Sequence, residues 1–200
     1  MPVTRTKGKL VDAAKFRVKY KDIFTAKEFY EALRFWLKEN EWDDGNGFET
    51  YETYLLEKIT TGGFKEMIIQ WRLQKTIDKY YRYHLDLDFL WLGMTSTEVI
   101  REGVKYRTDK GEVDVQVKAV MEFDYEGKLK SHPFVQHFYE LLTKRILKKE
   151  LDYERKIELY RQAYQLQNFM KQWFKLHRYL PYEEATPFFT SHAWPSHTTE

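Results

Sequence analysis

The 200-residue chain contains no cysteine, which excludes disulfides, thiol nucleophiles and cysteine-ligated zinc. It also has no apolar run near the roughly 18 residues that a membrane-spanning helix needs. The first residues are polar and basic, with no apolar segment behind them of the kind that marks a secretory signal. We therefore expect a soluble, cytoplasmic protein. Abundant Glu and Lys without cysteine would also suit a thermophile.

An excess of one charge is missing as well. The 33 Lys and Arg residues are balanced by 31 Asp and Glu, a net charge of +2, so no overall field attracts nucleic acid. The short basic runs, such as "TKRILKKE", are interrupted by apolar or acidic residues and indicate solvated surface. Nucleic acid is therefore not the favoured partner, and single-stranded nucleic-acid binding stays as a fourth hypothesis.

Motifs for cofactor chemistry are absent from the sequence. There is no G-x-x-x-x-G-K run, no G-x-G-x-x-G run and no nucleophile-elbow glycine pattern. We therefore expect no cofactor, and an enzymatic role is not the favoured one.

Aromatic residues, in contrast, make up 18% of the chain and charged residues 32%. This division favours a core of large rings under a charged surface, and the length suits one domain. The predicted organisation is a polar lead over 1–12, a single α+β domain over 13–180 and an extended, proline-containing tail over 181–200.

Hydrophobic periodicity predicts the order β-α-β-β-β-β-β-α(α). The helix at 25–40 begins with a predicted capping box, Thr25 with Glu28. The "TDKG" run at 108–111 is typical of a turn and separates a weaker strand at 98–107 from a clearly alternating one at 112–125. A C-terminal helix, capped by Ser131 or His132, is predicted over 133–178 as one long helix or two segments. The remaining strands are predicted at 14–22, 48–59, 64–75 and 79–93.

Short turns between strands predict a curved antiparallel β-meander of about five to six strands. One N-terminal helix and the long C-terminal helix or helix pair pack on one of its faces. This element order, over 14–178, resembles the START-like, or helix-grip, architecture. The resemblance implies a cavity between sheet and helix for an apolar small molecule, or a scaffold that docks a partner. The residues expected to line or fill that space are Trp36, Trp71, Phe138 and Trp173.

The stretch "KYYRYHLDLDFLWLG" holds the candidate metal ligands. As a strand it places His84, Asp86 and Asp88 on one face, opposite a core face that includes Tyr81 and Phe89. These three side chains would be metal ligands if a neighbouring strand added oxygen atoms. Candidates for that addition are Glu66, Asp114 and Glu122.

The alternative for the same face is a solvated ladder of charges. Arg72, Arg82 and Lys118 are predicted to lie near the carboxylates of Asp86 and Asp88, where cross-strand pairing would neutralise them. We favour this interpretation, since H-x-D-x-D on a strand is no established metal spacing. A metal-dependent enzyme stays as a third hypothesis.

The tail carries Phe188, Phe189 and Trp194, although disordered tails are depleted in large apolar residues. Such a segment packs on its own domain or anchors to another chain as an extended peptide. The favoured function is a non-enzymatic binding or assembly module that docks a protein partner, or a second copy, through its polar sheet face and aromatic tail. A carrier or sensor of an apolar small molecule is the alternative.

Overall fold

A computed structural model describes residues 8–43, 51–60, 62–101, 104–131 and 153–175. It confirms the predicted α+β class, with an antiparallel sheet and packed helices before and after the main run of strands. The elements in chain order are β1 (Lys9–Phe24), α1 (Ala26–Glu39), β2 (Glu52–Ile59), β3 (Lys65–Thr76), β4 (Tyr81–Arg101), β5 (Val104–Phe123), α2 (Lys128–Ser131) and α3 (Arg155–Trp173).

The described strands form one five-stranded sheet in the order β1-β5-β4-β3-β2, with every neighbouring pair antiparallel. Strands β2 to β5 follow one another as a meander, and β1 joins beside β5. The long β4 therefore lies at the centre, while β1 and β2 are the edges. This element order is the coarse part of the helix-grip resemblance, and the fold alone assigns no family.

The predicted turn at "TDKG" is wrong, because β5 passes straight through it. Lys110 pairs with Thr95 and Asp109 with Ser96 in the β4–β5 ladder. The glycine of this run serves close packing, since a Cβ on Gly111 would lie 2.4 Å from the sulfur of Met94. Residues 98–107 thus divide between the end of β4 and the start of β5, and the sheet has five strands where the sequence predicts up to six.

A bulge in β4 lies opposite this glycine. The β4–β5 register shifts between Leu92 and Thr95, and Gly93 adopts a left-handed φ of 60°, which glycine tolerates at no steric cost. An extra residue of this kind generally bends a strand and increases its twist.

The start of α1 is correctly predicted, but its capping box is wrong. Thr25 makes no side-chain capping hydrogen bond. Instead, the backbone N–H of Ala26 donates to Asp109 Oδ2 of β5 at 3.1 Å. A carboxylate is favourable there because it satisfies a backbone donor and faces the positive end of the helix dipole.

The core lies between the inner face of the sheet and helices α1 and α3. Along β4 the predicted inward set is confirmed, because Tyr81, Tyr83, Leu85, Leu87 and Phe89 are all buried. The predicted inward set of β5 is confirmed in the same way: Val113, Val115, Val117, Ala119, Met121 and Phe123 are buried.

The C-terminal region is described only in part. The chain turns helical at Lys128, before the predicted start, and Asp124 Oδ1 accepts a hydrogen bond from the Leu129 N–H at 3.0 Å. Whether 133–178 is one helix or two falls outside the described residues, apart from α3. None of the helices in the described part of the chain has the length and apolar character needed to cross a membrane.

Candidate functional site

The three predicted metal ligands lie on the outward face of β4, but they have different partners. Asp88 Oδ1 accepts a hydrogen bond from Arg72 Nη2 at 2.5 Å, and Asp86 Oδ1 lies 3.9 Å from Arg72 Nε. Asp86 is also in register with Lys118 of β5. One guanidinium on β3 thus serves two carboxylates of β4, which is the cross-strand arrangement that the sequence predicts.

His84 does not share the partner of these carboxylates but pairs with a different residue. Its Nε2 lies 2.8 Å from Glu122 Oε2 of β5, and Glu122 Oε1 accepts a hydrogen bond from the Gly8 N–H at 3.2 Å. In the described segments, no group of three or more His, Asp or Glu side chains is placed to hold a metal ion. The geometry therefore gives a pair at His84 and an ion-pair ladder at Asp86 and Asp88.

The prediction that this whole face is solvated is wrong at its His84 end. His84 and Glu122 are each only 2% exposed, and Val120 beside them is 1% exposed. The sequence carries one signal for this burial, namely a valine at an outward position of β5. A buried pair of polar groups is stable only when each satisfies the other.

Asp114 is a second buried carboxylate on the outward face. It is 2% exposed and accepts hydrogen bonds from Arg17 Nε at 2.6 and 2.8 Å, with a further contact from Arg17 Nη2. The hydrogen bond with Asp114 raises the pKa of the Arg17 guanidinium. Together with Lys118, which lies 3.1 Å from Asp12, these contacts neutralise the outward face within the sheet.

The residues predicted to surround an apolar ligand are engaged in packing. Trp71 is fully buried, with its ring centroid 4.7 Å from that of Tyr30 and 4.9 Å from that of Phe89. Its Nε1–H donates to Tyr30 Oη at 2.8 Å. Trp173 is buried 5.0 Å from Phe29. Edge-to-face rings at such distances are the usual way in which aromatic cores fill space.

Trp36 is half-buried and contacts Phe169 of α3, with ring centroids 5.7 Å apart. Phe138, the fourth predicted ligand residue, falls outside the described residues, as do the tail residues Phe188, Phe189 and Trp194. Their assignments as ligand-binding and partner-binding residues stay predictions.

Two tyrosines tie the helices to the sheet. Tyr83 Oη donates to Glu158 Oε2 of α3 at 3.0 Å, and burial raises the Tyr83 pKa. Tyr30 Oη of α1 donates to Glu52 Oε1 at 2.5 Å, and burial likewise raises the Tyr30 pKa. The second contact anchors the first residue of β2 to α1.

The surface that sequence reasoning missed is the rest of β2. Between Tyr54 and Ile59 every residue is exposed. Four of them are large and apolar, with exposed fractions between 46% and 69%. We refer to these four residues as the apolar edge: Tyr54, Leu55, Leu56 and Ile59.

The apolar edge presents side chains on both faces of the sheet. Leu55 pairs with the buried, inward Ile69, whereas Tyr54 and Leu56 pair with the outward Gln70 and Ile68. Within the described part of the chain, β2 pairs with β3 only. An exposed apolar strand at the end of a sheet is a template for another strand.

A groove of about 610 Å³ lies near the β4 bulge. Its lining carries charges of both signs, from Lys21, Lys110, Asp22 and Glu112, so the charges do not point to a cationic or an anionic ligand. Lys19 further neutralises Glu112 at 2.7 Å.

Comparison with known proteins adds no family to this description. No protein-family model matches the sequence, and a search of curated proteins returns no significant relative.

Proposed function

We propose that this chain is a non-enzymatic binding or assembly module that docks a protein partner by strand addition at the apolar edge. The observation that carries the proposal is the exposure of large apolar side chains on both faces of an edge strand. A helix or a globular surface laid on the sheet covers one face only. An added strand covers both, because its own side chains alternate between the faces.

Backbone geometry supports the same mode of binding. The Thr60 N–H donates to the Phe64 carbonyl at 2.8 Å, and Leu56 pairs with Ile68 in the same register. Since antiparallel residues alternate between facing and turning away from the partner strand, Leu55, Glu57 and Ile59 direct their N–H and C=O groups away from β3. These groups are the donors and acceptors that strand addition requires.

The polar sheet face, the docking surface predicted from the sequence, is a weaker candidate. Its charges are matched within the sheet, as in the Arg17–Asp114 and Arg72–Asp88 pairs. A partner that bound there would have to displace these contacts or leave them buried, which is costly for charged groups. The aromatic tail stays a predicted second contact.

The test compares two double variants of the full chain by cross-linking in living cells. Leu55→Lys with Ile59→Lys alters the apolar edge. Phe35→Lys with Ile100→Lys is the control, because Phe35 matches Leu55 at 58% exposure and Ile100, at 65%, is close to Ile59 at 69%. Circular dichroism melts establish that both variants fold.

We expect the edge variant to lose the cross-linked protein complexes of the parent chain and the control to keep them. Two charged side chains on a strand that must be covered on both faces oppose its desolvation. Complexes retained equally by the edge variant, or lost equally by the control, would refute the proposal.

A further inference from the structure

The sequence of the apolar edge allows it to pair with a copy of itself. We propose that the partner is a second copy of this chain, paired antiparallel through β2 about a two-fold axis at Leu56. This inference rests on the proposed function, because it names the protein that the edge receives.

Self-pairing meets the backbone requirement of β2. The N–H and C=O groups of Leu55, Glu57 and Ile59 point to the open side of the strand. A second β2, turned by 180°, presents the same donors and acceptors in reverse order, as an isologous interface demands. Antiparallel pairing then joins two five-stranded sheets into one.

A two-fold axis perpendicular to the sheet keeps the inner face of one copy beside the inner face of the other. Three registers then bring the apolar part of β2 against itself, and they are centred on Leu55, Leu56 and Glu57. A register centred on Leu55 brings the β2 irregularity between Glu52 and Tyr54 into the pairing. A register centred on Glu57 places two Glu57 carboxylates opposite each other, and like charges in that position destabilise a sheet.

The register centred on Leu56 avoids both faults. It pairs the regular run 54–58 with itself, so that Leu56 faces Leu56 on the outer side. Tyr54 then lies opposite Lys58, whose aliphatic stem covers an aromatic ring well. Leu55 lies opposite Glu57, whose carboxylate is already paired with Lys65 at 2.8 Å, and these two positions exchange about four main-chain hydrogen bonds.

The expected dimer is weak and depends on concentration. Five paired residues form an interface only about 17 Å long, so the strand pair buries less surface than the roughly 800 Å² per partner of a standard interface. We therefore expect a dissociation constant in the micromolar range or above. Leu56→Lys, which opposes two ammonium groups, is expected to raise that constant at least about ten-fold.

The absence of cysteine from the chain permits a test of the register itself. In the Leu56→Cys variant the only two thiols of a dimer face each other. Leu56 directs its hydrogen bonds to β3, so Leu56 and its copy form a non-hydrogen-bonded pair about 4.5 Å apart at Cα. That separation falls inside the range that a disulfide spans.

Each cysteine variant is first oxidised mildly by itself. We expect Leu56→Cys to form a covalent dimer at least about ten times faster than Leu55→Cys, Glu57→Cys or the exposed control Ile100→Cys. Leu55→Cys and Glu57→Cys should cross-link to each other when mixed, because they are opposed in this register. Faster cross-linking of Leu55→Cys alone or of Glu57→Cys alone, or a Leu56→Cys rate equal to that of Ile100→Cys, would overturn the proposal.

Sedimentation velocity separates this inference from the proposed function. Self-pairing is overturned if the parent chain stays monomeric at every concentration. If the edge variants also lose another protein in cells, strand addition still stands. A dimer that persists in Leu56→Lys overturns pairing through β2. Loss of the dimer in Leu56→Lys but not in Phe35→Lys supports both.

Discussion

Replacing Glu122 by methionine tests whether the outward face of the sheet is buried at one end. The carboxylate of Glu122 lies 2.8 Å from His84 Nε2 and accepts a hydrogen bond from the Gly8 N–H at 3.2 Å. His84 and Glu122 are each 2% exposed. Methionine has a similar length and leaves little cavity, so the loss is mainly that of the two hydrogen bonds.

The magnitude follows from these contacts. A buried group left without its partner costs about 1–3 kcal/mol, and a further hydrogen bond contributes about 1 kcal/mol. We therefore expect Glu122→Met to lower the free energy of unfolding by about 3 kcal/mol. For a chain of this size that corresponds to a fall in Tm of about 6–12 °C.

The double variant His84→Leu with Glu122→Met is expected to recover most of the loss. Once both polar side chains are replaced by apolar groups of similar size, only the half-buried Gly8 N–H lacks its acceptor, and replacing both partners of a buried pair is often nearly neutral. The double variant should lie within about 1 kcal/mol of the parent chain, a recovery of about 2 kcal/mol relative to Glu122→Met.

Urea denaturation measures the single variants Glu122→Met and His84→Leu and the double variant. The matched control is Lys105→Gln, which removes an exposed pair with Glu98 at 3.8 Å and should change stability by less than about 0.5 kcal/mol. A Glu122→Met effect as small as that of the control would refute the burial argument. A double variant as unstable as the sum of the two single ones would refute the pairing argument.

Trp71→Ala is expected to cost about 3–5 kcal/mol in urea denaturation, because a fully buried ring leaves a large cavity; a loss below about 1 kcal/mol would contradict a packed interior. Burial raises the pKa of Tyr83, so this tyrosine stabilises the fold fully below the unfolded pKa, and the contribution is lost as the pH rises. The fall in Tm between about pH 9 and pH 11 should therefore be shallower in Tyr83→Phe than in the parent chain, and equal slopes would contradict the argument. Deleting residues 181–200 is expected to weaken the assembly without lowering Tm; an unchanged assembly state by light scattering would count against docking by the tail.

Most of the sheet was predictable from the sequence because apolar and polar residues alternate along its central strands, and this alternation predicts which face is buried. Tyr83 and Leu87 on one side of β4, with Asp86 and Asp88 on the other, permit one orientation only. The valines of β5 do the same. Here the local pattern and the tertiary environment agree.

The errors arose where a local signal served a distant contact. Gly111 reads as a turn residue, yet it makes room for Met94 across the β4–β5 ladder. Asp109 reads as part of the same turn, yet it caps α1 from 83 residues away. Thr25 has the residue type of a cap without the hydrogen bond. Sequence spacing cannot reveal such partners, since strand register is not encoded locally.

The apolar edge was hidden for a related reason. The alternation in β2 predicts a strand with a covered face, but coverage depends on where the helices lie. Helix α3 packs on β1 and β5, and α1 contacts the first residue of β2 through the Tyr30–Glu52 hydrogen bond. Sequence alone places neither helix relative to the edge of the sheet.

Within the described part of the chain, folding gives no reason for β2 to carry large apolar residues. Leu55 and Ile59 are 58% and 69% exposed, so lysine at either position should change the free energy of unfolding by no more than about 0.5 kcal/mol. Full burial of such side chains, in contrast, is worth about 1.5–3 kcal/mol each. Because covering the edge with another strand would gain that free energy, we propose association as the reason for the apolar character of β2.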